Sequence, residues 1–201
     1  MKYKIDGKYY IILYFDTSAL VTGLVNKSSS DLISKISSID ISNVQIISSI
    51  WTMNEIIAIM DRLSQKINKK TGFFELSKMD IQKVISTIVA RIKTISKPSS
   101  TVFNFVYLDH KIITDSRKLT SDFHLSPNDA IHLCTGYTFN CNYFIVYNKS
   151  FVNRFPFKKY ATMKLVDLTN ENDRKMLETE LDLLLFKRIF NLLFIYCKKF
   201  I

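Results

Sequence analysis

The chain has 201 residues, of which 47% are hydrophobic and 23% are charged, enough for one domain with a sizeable core and an appendage. It contains no uncharged apolar run of about 18 residues or more, so we expect no membrane-spanning helix and no membrane partner. Four glycines are too few for a nucleotide-binding loop, and three cysteines at no metal-ligand spacing are typical of thiols in a reducing cytoplasm.

The formal net charge is +10, and it is distributed unevenly along the chain. Residues 61–120 contain twelve Lys or Arg against five Asp or Glu, whereas residues 1–60 contain five of each. A local basic excess is typical of proteins with a polyanionic partner. Charge alone fits equally well a lysine-rich surface that only interacts with water.

The first predicted element is a hairpin, because two short apolar-rich segments flank Asp6-Gly7. Its second segment is apolar without a break from Tyr9 to Phe15, as in a strand covered on both faces. The later elements follow in the order helix 17–38, strand 43–50, helix 51–67, helix 76–95, strand 101–109, helix 126–139, strand 142–148 and strand 161–168. This alternation predicts an α/β fold with a parallel sheet.

The last segment, residues 170–201, differs from the rest of the chain. A helix is predicted from about Asn170 to about Cys197, and it is apolar on nearly every face. Such a helix needs a surface to cover it, either a groove of its own domain or a second copy of the chain.

Polar residues stand near the ends of the predicted strands. Asp16 ends the first long strand, Glu55 lies one turn into the helix after the second, Asp129 begins the helix before the fourth, and Asn148 ends the fourth. Ligands of open parallel sheets bind beyond the carboxyl ends of the strands. Carboxylates gathered there repel each other unless a cation lies between them, and oxygen ligands favour Mg²⁺ or Mn²⁺.

Each acid also has a structural explanation when it is taken alone. Asp16 before Thr17 and Ser18 fits a helix N-cap, Glu55 fits a solvated helix position, and Asp129 fits a first-turn acid favoured by the helix dipole. Their joint occurrence in this order favours the metal site. Thr17 and Ser18 would then contact a metal-bound water or a phosphate, or cap the next helix, and His132 is expected to pack or to face solvent.

Four segments resemble the successive motifs of the PIN domain: FDTSAL (15–20), SSIWTMNEII (48–57), LSPNDAIHLCTG (125–136) and FIVYNKSF (144–151). The PIN domain is a family of metal-dependent ribonucleases that includes the toxins of VapBC-type toxin–antitoxin pairs. The resemblance covers roughly residues 10–168. It implies a PIN-like parallel sheet of about five strands flanked by helices, with Mg²⁺ or Mn²⁺ held by Asp16, Glu55 and Asp129.

The chain departs from this pattern at the fourth motif. Family members usually have Thr-x-Asp there, whereas this chain has Val146-Tyr147-Asn148. The Asn148 amide retains a carbonyl oxygen for a cation or a water, but it contributes no charge. Residues 61–97 and 170–201 are additions relative to a compact toxin.

These observations predict a PIN-like nuclease domain over residues 1–168 that hydrolyses RNA with Mg²⁺ or Mn²⁺, with Asn148 assisting the three acids. The C-terminal helix is expected to dock on this domain or to join two chains as a homodimer, and an antitoxin protein is a further expected partner. The RNA backbone is expected to contact five basic residues: Lys66, Lys69, Lys70, Arg117 and Lys118.

Two other interpretations remain open at this point. One is a catalytically silent PIN-like module that binds RNA or a protein partner without cutting. The other is a toxin-like chain whose apolar C-terminal helix replaces or recruits the antitoxin contact.

Overall fold

The structure, a computed structural model, describes residues 3–5, 8–25, 44–59, 62, 102–156, 160 and 162–182. Its strands are β1 (Tyr3–Ile5), β2 (Lys8–Phe15), β3 (Val44–Ser49), β4 (Val102–Val106), β5 (Tyr143–Val146) and β6 (Lys164–Asp167). Its helices are α1 (Thr17–Val25), α2 (51–59), α3 (His110–Phe123), α4 (Pro127–Thr138), α5 (Lys149–Val152) and α6 (171–182).

Five strands form a parallel sheet in the order β4-β3-β2-β5-β6, and β1 pairs antiparallel with β2. The pairing of Ile5 with Lys8 confirms the predicted hairpin, although Asp6 and Gly7 themselves lie outside the described residues. From β2 the chain continues to β3 on one side of it, whereas β5 lies on its other side. The carboxyl ends of β2 and β5 therefore form the crevice in which sheets of this kind bind ligands.

The unbroken apolar run of β2 is explained by cores on both faces of the sheet. Leu13 and Phe15 belong to one buried cluster, which also contains Leu177 and Leu181 of α6. Tyr14 belongs to the other cluster, beneath α3 and α4. Because successive side chains of a strand point to opposite faces, a central strand needs apolar residues at every position.

Helix α4 packs closely on the sheet through Gly136. A Cβ atom at this position would lie 3.0 Å from a ring carbon of Phe144 and 3.3 Å from Cγ of Tyr14. Tyr14 and Phe144 are themselves stacked, with ring centroids 4.9 Å apart. The absence of a side chain at Gly136 thus fixes the distance between α4 and the strands that carry the site.

Helix α3 was not predicted from the sequence. Its N-cap is Asp109, whose Oδ1 accepts a hydrogen bond from the backbone N–H of Ile112 at 2.7 Å. Ile112, Ser116 and Leu119 are buried at helical spacing. An Asp followed by apolar residues at helical spacing is a signal for the start of a helix. The sequence analysis did not use it, because it assigned Asp109 to the preceding strand.

Several predictions fall partly or wholly on residues that are not described. The predicted helix 76–95 lies outside the described residues, as do residues 26–43 and 183–201. Of the C-terminal helix, α6 is described, and its Leu177 and Leu181 are buried in the domain core. Among the described residues, no helix is both long enough and apolar enough to cross a membrane.

Candidate active site

Asp16 lies directly beyond β2 and is only 8% exposed. Its backbone N–H donates to the carbonyl oxygen of Ile145 in β5 at 3.0 Å. Its Oδ2 accepts two hydrogen bonds from Ser18, one from the backbone N–H at 3.0 Å and one from the hydroxyl at 2.5 Å. The Ser18 hydroxyl in turn accepts the N–H of Tyr147, just beyond β5, at 3.0 Å. The Asp16 carboxylate is therefore fixed in the crevice between β2 and β5.

Glu55 reaches the same crevice from α2. Its Oε2 accepts hydrogen bonds from the Thr17 hydroxyl and from Nε2 of His132, the latter at 2.6 Å. Burial alone would raise the pKa of Glu55, but the hydrogen bonds from His132 and Thr17, the charge of His132 and the nearby Asn128 amide lower it. Glu55 is thus a held, ionised carboxylate and not a solvated helix residue.

His132 lies at the centre of the acidic cluster, a position that the sequence analysis did not predict, because it expected this residue to pack or to face solvent. It is 1% exposed, and its Nδ1 lies 2.6 Å from the Tyr14 hydroxyl oxygen. The backbone N–H of Ser49 donates to that same oxygen at 3.2 Å. With neutral imidazole, Tyr14 therefore donates to Nδ1, and Nε2 carries the proton that is donated to Glu55.

The charges around His132 favour its protonated form. Burial alone would lower the pKa of His132, but the nearby carboxylates of Asp16, Glu55 and Asp129 raise it above its usual value. Nε2 lies 3.7 Å from Oδ1 of Asp16. In both protonation states the imidazole donates to Glu55, so it links two of the three acids. His132 lies three residues after Asp129 on the same helix, so the sequence did indicate that the two side chains share a face of that helix.

Asp129 occupies the first turn of α4, where Ser126 is the N-cap and its hydroxyl oxygen accepts the N–H of Asp129 at 3.1 Å. Burial raises the pKa of Asp129, and the negative charge of Asp16 raises it further. Arg154 Nη2 lies 3.7 Å from Oδ2 of Asp129 and partly offsets this effect. Asp129 is therefore both a first-turn acid and an electrostatic neighbour of Asp16.

Asn148 lies two residues beyond β5, where it acts as the N-cap of α5. Its Oδ1 accepts hydrogen bonds from Ser150 N at 3.1 Å, Ser150 Oγ at 2.8 Å and Phe151 N at 3.3 Å. The amide oxygen is thus used to begin a short helix beside the crevice. Its assistance to a metal stays a prediction.

The fit of a divalent cation depends on donor chemistry and on spacing. The donors are carboxylate oxygens, which Mg²⁺ and Mn²⁺ prefer. Both hydrogen bonds from Ser18 reach Oδ2 of Asp16, whereas Oδ1 is on the side of His132. In the part of the chain that the structure describes, no three His, Cys, Asp or Glu side chains lie close enough together to hold one ion. The oxygen donors of the cluster therefore suit the cation. The distances between the side chains do not bring three of them to one point, and His132 lies against Glu55 and Asp16.

The predicted RNA-binding residues divide into two groups. Arg117 and Lys118 are exposed on α3, where they can contact a polyanion. Lys66, Lys69 and Lys70 lie outside the described residues. The role of all five stays a prediction.

The geometry defines an α/β protein with acidic residues gathered at the switch point of a parallel sheet. Comparison of the sequence with protein-family models and with curated proteins gives no match. Comparison of the fold with solved structures finds VapBC-1 from nontypeable Haemophilus influenzae, with a TM-score of 0.52 and 16% sequence identity over 80% of this chain and 100% of that chain.

Two other solved structures are similar to a lesser degree. VapBC2 from Rickettsia felis, bound to a DNA fragment from their promoter, has a TM-score of 0.49 at 13% identity, covering 78% of this chain and 98% of that chain. A toxin–antitoxin complex from Klebsiella pneumoniae has a TM-score of 0.45 at 16% identity, covering 75% of this chain and 94% of that chain. At such identities the likeness concerns the fold, and the expected PIN-like, VapC-like fold with five parallel strands is confirmed.

Proposed function

We propose that this chain is a ribonuclease that hydrolyses RNA phosphodiester bonds with Mg²⁺ or Mn²⁺. The observation that carries the proposal is the convergence of Asp16, Glu55 and Asp129 at the switch point of the sheet. The three residues come from three separate elements. Nε2 of His132 lies 2.6 Å from Oε2 of Glu55 and 3.7 Å from Oδ1 of Asp16, and Asp129 precedes His132 by one turn on α4. Buried and half-buried acids gathered in this way are costly unless they serve a ligand or a reaction.

In this proposal Asp16, Glu55 and Asp129 would supply oxygen ligands to the cation, and because they do not lie close enough together here for one ion, binding would have to bring them closer. The cation when bound would activate a water and stabilise charge on the phosphate. Ser18 orients Asp16, whereas Thr17 and His132 orient Glu55. Such supporting hydrogen bonds orient metal-binding carboxylates and contribute strongly to metal affinity.

The backbone of the RNA would lie along basic surface that includes Arg117 and Lys118, with Lys66, Lys69 and Lys70 as further contacts. We further propose that the chain is the cytoplasmic toxin of a toxin–antitoxin pair, with an antitoxin protein as partner. The VapBC-1 likeness of the fold supports this assignment.

A homodimer joined through residues 183–201 is also proposed. Leu177 and Leu181 pack in the core of their own domain, so these two residues are not available for this contact. Sedimentation of the full chain and of a chain ending at Asp182 separates the two cases. A dimer that becomes a folded monomer on truncation supports the proposal, and a monomeric full chain rejects it.

A second candidate function is a catalytically silent module that binds RNA or a protein. Two observations favour it: His132 lies against Glu55 and Asp16, and the Asn148 oxygen is occupied by the α5 cap. Both reduce the oxygen ligands available to a cation.

The experiment that separates the two functions uses the purified full chain and mixed cellular RNA. We expect cleavage with Mn²⁺ and none with a chelator. Binding of the RNA without cleavage, at any Mn²⁺ concentration, would establish the silent module instead.

A further inference from the structure

Two aromatic residues, Trp51 and Tyr107, follow β3 and β4 at the carboxyl edge of the sheet. They lie on one side of the acidic cluster. The pairing of these strands runs to Ser49 opposite Val106, and Ile50 N then donates to the Val106 carbonyl oxygen at 2.9 Å. Trp51 and Tyr107 follow directly, so both belong to the same edge. Tyr107 is 80% exposed, and Trp51 is partly exposed.

Trp51 is tied to the acidic cluster through one intermediate residue. Its indole Nε1 donates to Oδ1 of Asn128 at 3.1 Å, and Asn128 directly precedes Asp129 at the start of α4. Trp51 and Glu55 are four residues apart on α2, so they lie on the same face of that helix. The polar atom of the indole is therefore satisfied by the protein, and the ring is held at the rim of the crevice.

An aromatic ring of this kind suits an unpaired nucleobase. Bases of single strands stack on aromatic side chains, and this stacking tolerates any sequence because every base has a π-face. A single exposed tyrosine is ordinary on a protein surface and carries no argument alone. Here, however, the exposed Tyr107 accompanies an indole that is held by Asn128, the residue directly before Asp129. Lys111, exposed in the first turn of α3 four residues after Tyr107, adds positive charge.

We propose that Trp51 and Tyr107 form a stacking platform for an unpaired RNA base beside the acidic cluster. This inference rests on the proposed function and names the residues that would hold a base of its RNA. A base held on Trp51 lies beside the acidic cluster, because the indole contacts the residue before Asp129 and shares a face of α2 with Glu55. A paired base, whose faces are covered by its neighbours in the duplex, cannot reach the platform.

The chain offers its own probe for this platform, because Trp51 is its only tryptophan. The full chain is titrated, with chelator present, against a short single-stranded RNA while the tryptophan emission is recorded. We expect saturable quenching by the single strand. An abasic strand of equal length and charge, and the duplex, should quench far less.

Two variants and one control test the second ring. Tyr107→Ala should weaken binding of the single strand about tenfold or more, while Tyr107→Phe should bind like the parent, because stacking needs the ring and not the hydroxyl. Tyr137→Ala, which removes an exposed tyrosine from the other end of α4, should leave binding unchanged.

Equal quenching by the abasic and the normal strand would overturn the proposal, since only the backbone would then be recognised. Unchanged affinity in Tyr107→Ala would overturn it as well, as would quenching of Trp51 by a protein partner but not by RNA. Failure of the proposed ribonuclease is a separate result. If the chain cuts no RNA but its emission is quenched in a base-dependent way, the ribonuclease proposal fails and the platform proposal is supported. If the chain cuts RNA without such quenching, only the platform proposal is rejected.

Discussion

Two aspartates at strand ends, Asp16 after β2 and Asp167 at the end of β6, share a local structure but differ in their surroundings. Both are nearly buried, and each accepts a backbone and a hydroxyl hydrogen bond from the residue two positions later. At Asp167 the two bonds from Thr169 use both carboxylate oxygens, Oδ1 at 2.9 Å and Oδ2 at 2.7 Å. At Asp16 both bonds from Ser18 use Oδ2.

The difference shows that a strand-end turn does not by itself make a site. The Asp167 carboxylate is satisfied within its own turn, so its role is to shape the entry to α6. The Asp16 carboxylate turns its other oxygen towards His132, in a crevice that Glu55 and Asp129 reach from two helices. The distinction arises from residues distant in sequence, and it gives a matched pair of positions for mutation.

The largest expected effect separates these two aspartates. Asp16→Asn should lower metal-dependent RNA cleavage more than about 100-fold, because supporting residues around metal ligands alone contribute about 10- to 100-fold. Asp129→Asn should act in the same direction. Asp167→Asn should retain nearly all activity, since both carboxylate oxygens of Asp167 are already bonded by Thr169 within its own turn. Cleavage rates of the purified variants, together with their circular dichroism spectra, check this prediction, and equal activity in Asp16→Asn and the parent would refute it.

A smaller effect is expected when the support of the acids is weakened but the acids are kept. Tyr14→Phe retains the ring stacked on Phe144 and removes only the hydroxyl that bonds to His132 and Ser49. Unpaired buried groups should lower the free energy of unfolding by about 1–3 kcal/mol. Looser positioning of Glu55 by His132 should lower kcat/KM by about tenfold.

The matched control is Tyr143→Phe, which makes the same change at the start of β5, far from the carboxyl edge. Urea unfolding and cleavage kinetics are measured on both variants. If Tyr14→Phe loses stability but keeps the parent's kcat/KM, the contact between Tyr14 and His132 only supports the fold.

The sequence predicted those parts of the fold that depend on local patterns. The apolar run of β2 and the Ser-Pro start of α4 each carry enough local information to identify an element. Helix α3 was missed because the apolar strand before it was extended up to Asp109, the residue that in fact caps the helix. The number of strands, about five, was implied by the motif resemblance, whereas their order in the sheet was not predicted, because it depends on contacts between elements distant in sequence.

The sequence predicted which acids would gather at one edge of the sheet, but it did not predict the contacts between them. Asp16, Glu55 and Asp129 were expected at one edge because parallel strands end together. The central position of His132 could not be foreseen, because it requires the Tyr14 hydroxyl from one element and the Glu55 carboxylate from another. A side chain three residues beyond an acid fits a core position equally well until the facing elements are known.

The smallest expected effect concerns Asn148, which lies two residues beyond β5 and caps α5. Asn148→Asp retains an oxygen that can cap α5 and adds a negative charge near the proposed cation. We expect Mn²⁺ to bind more tightly by about 10-fold or less, and calorimetry on the variant and the parent measures it. An unchanged affinity would place residue 148 outside the site and leave it only as the cap of α5.

The most direct test of the acidic cluster is the binding of Mn²⁺ itself, without RNA. Paramagnetic resonance of free Mn²⁺, recorded during titration of the intact chain, reports how much metal the protein removes from solution. The proposed site predicts saturable binding in the parent and in Asp167→Asn, and binding weakened more than about 100-fold in Asp16→Asn. Equal binding by the parent and Asp16→Asn, or no binding by the parent, would contradict the assignment of this cluster as a metal site.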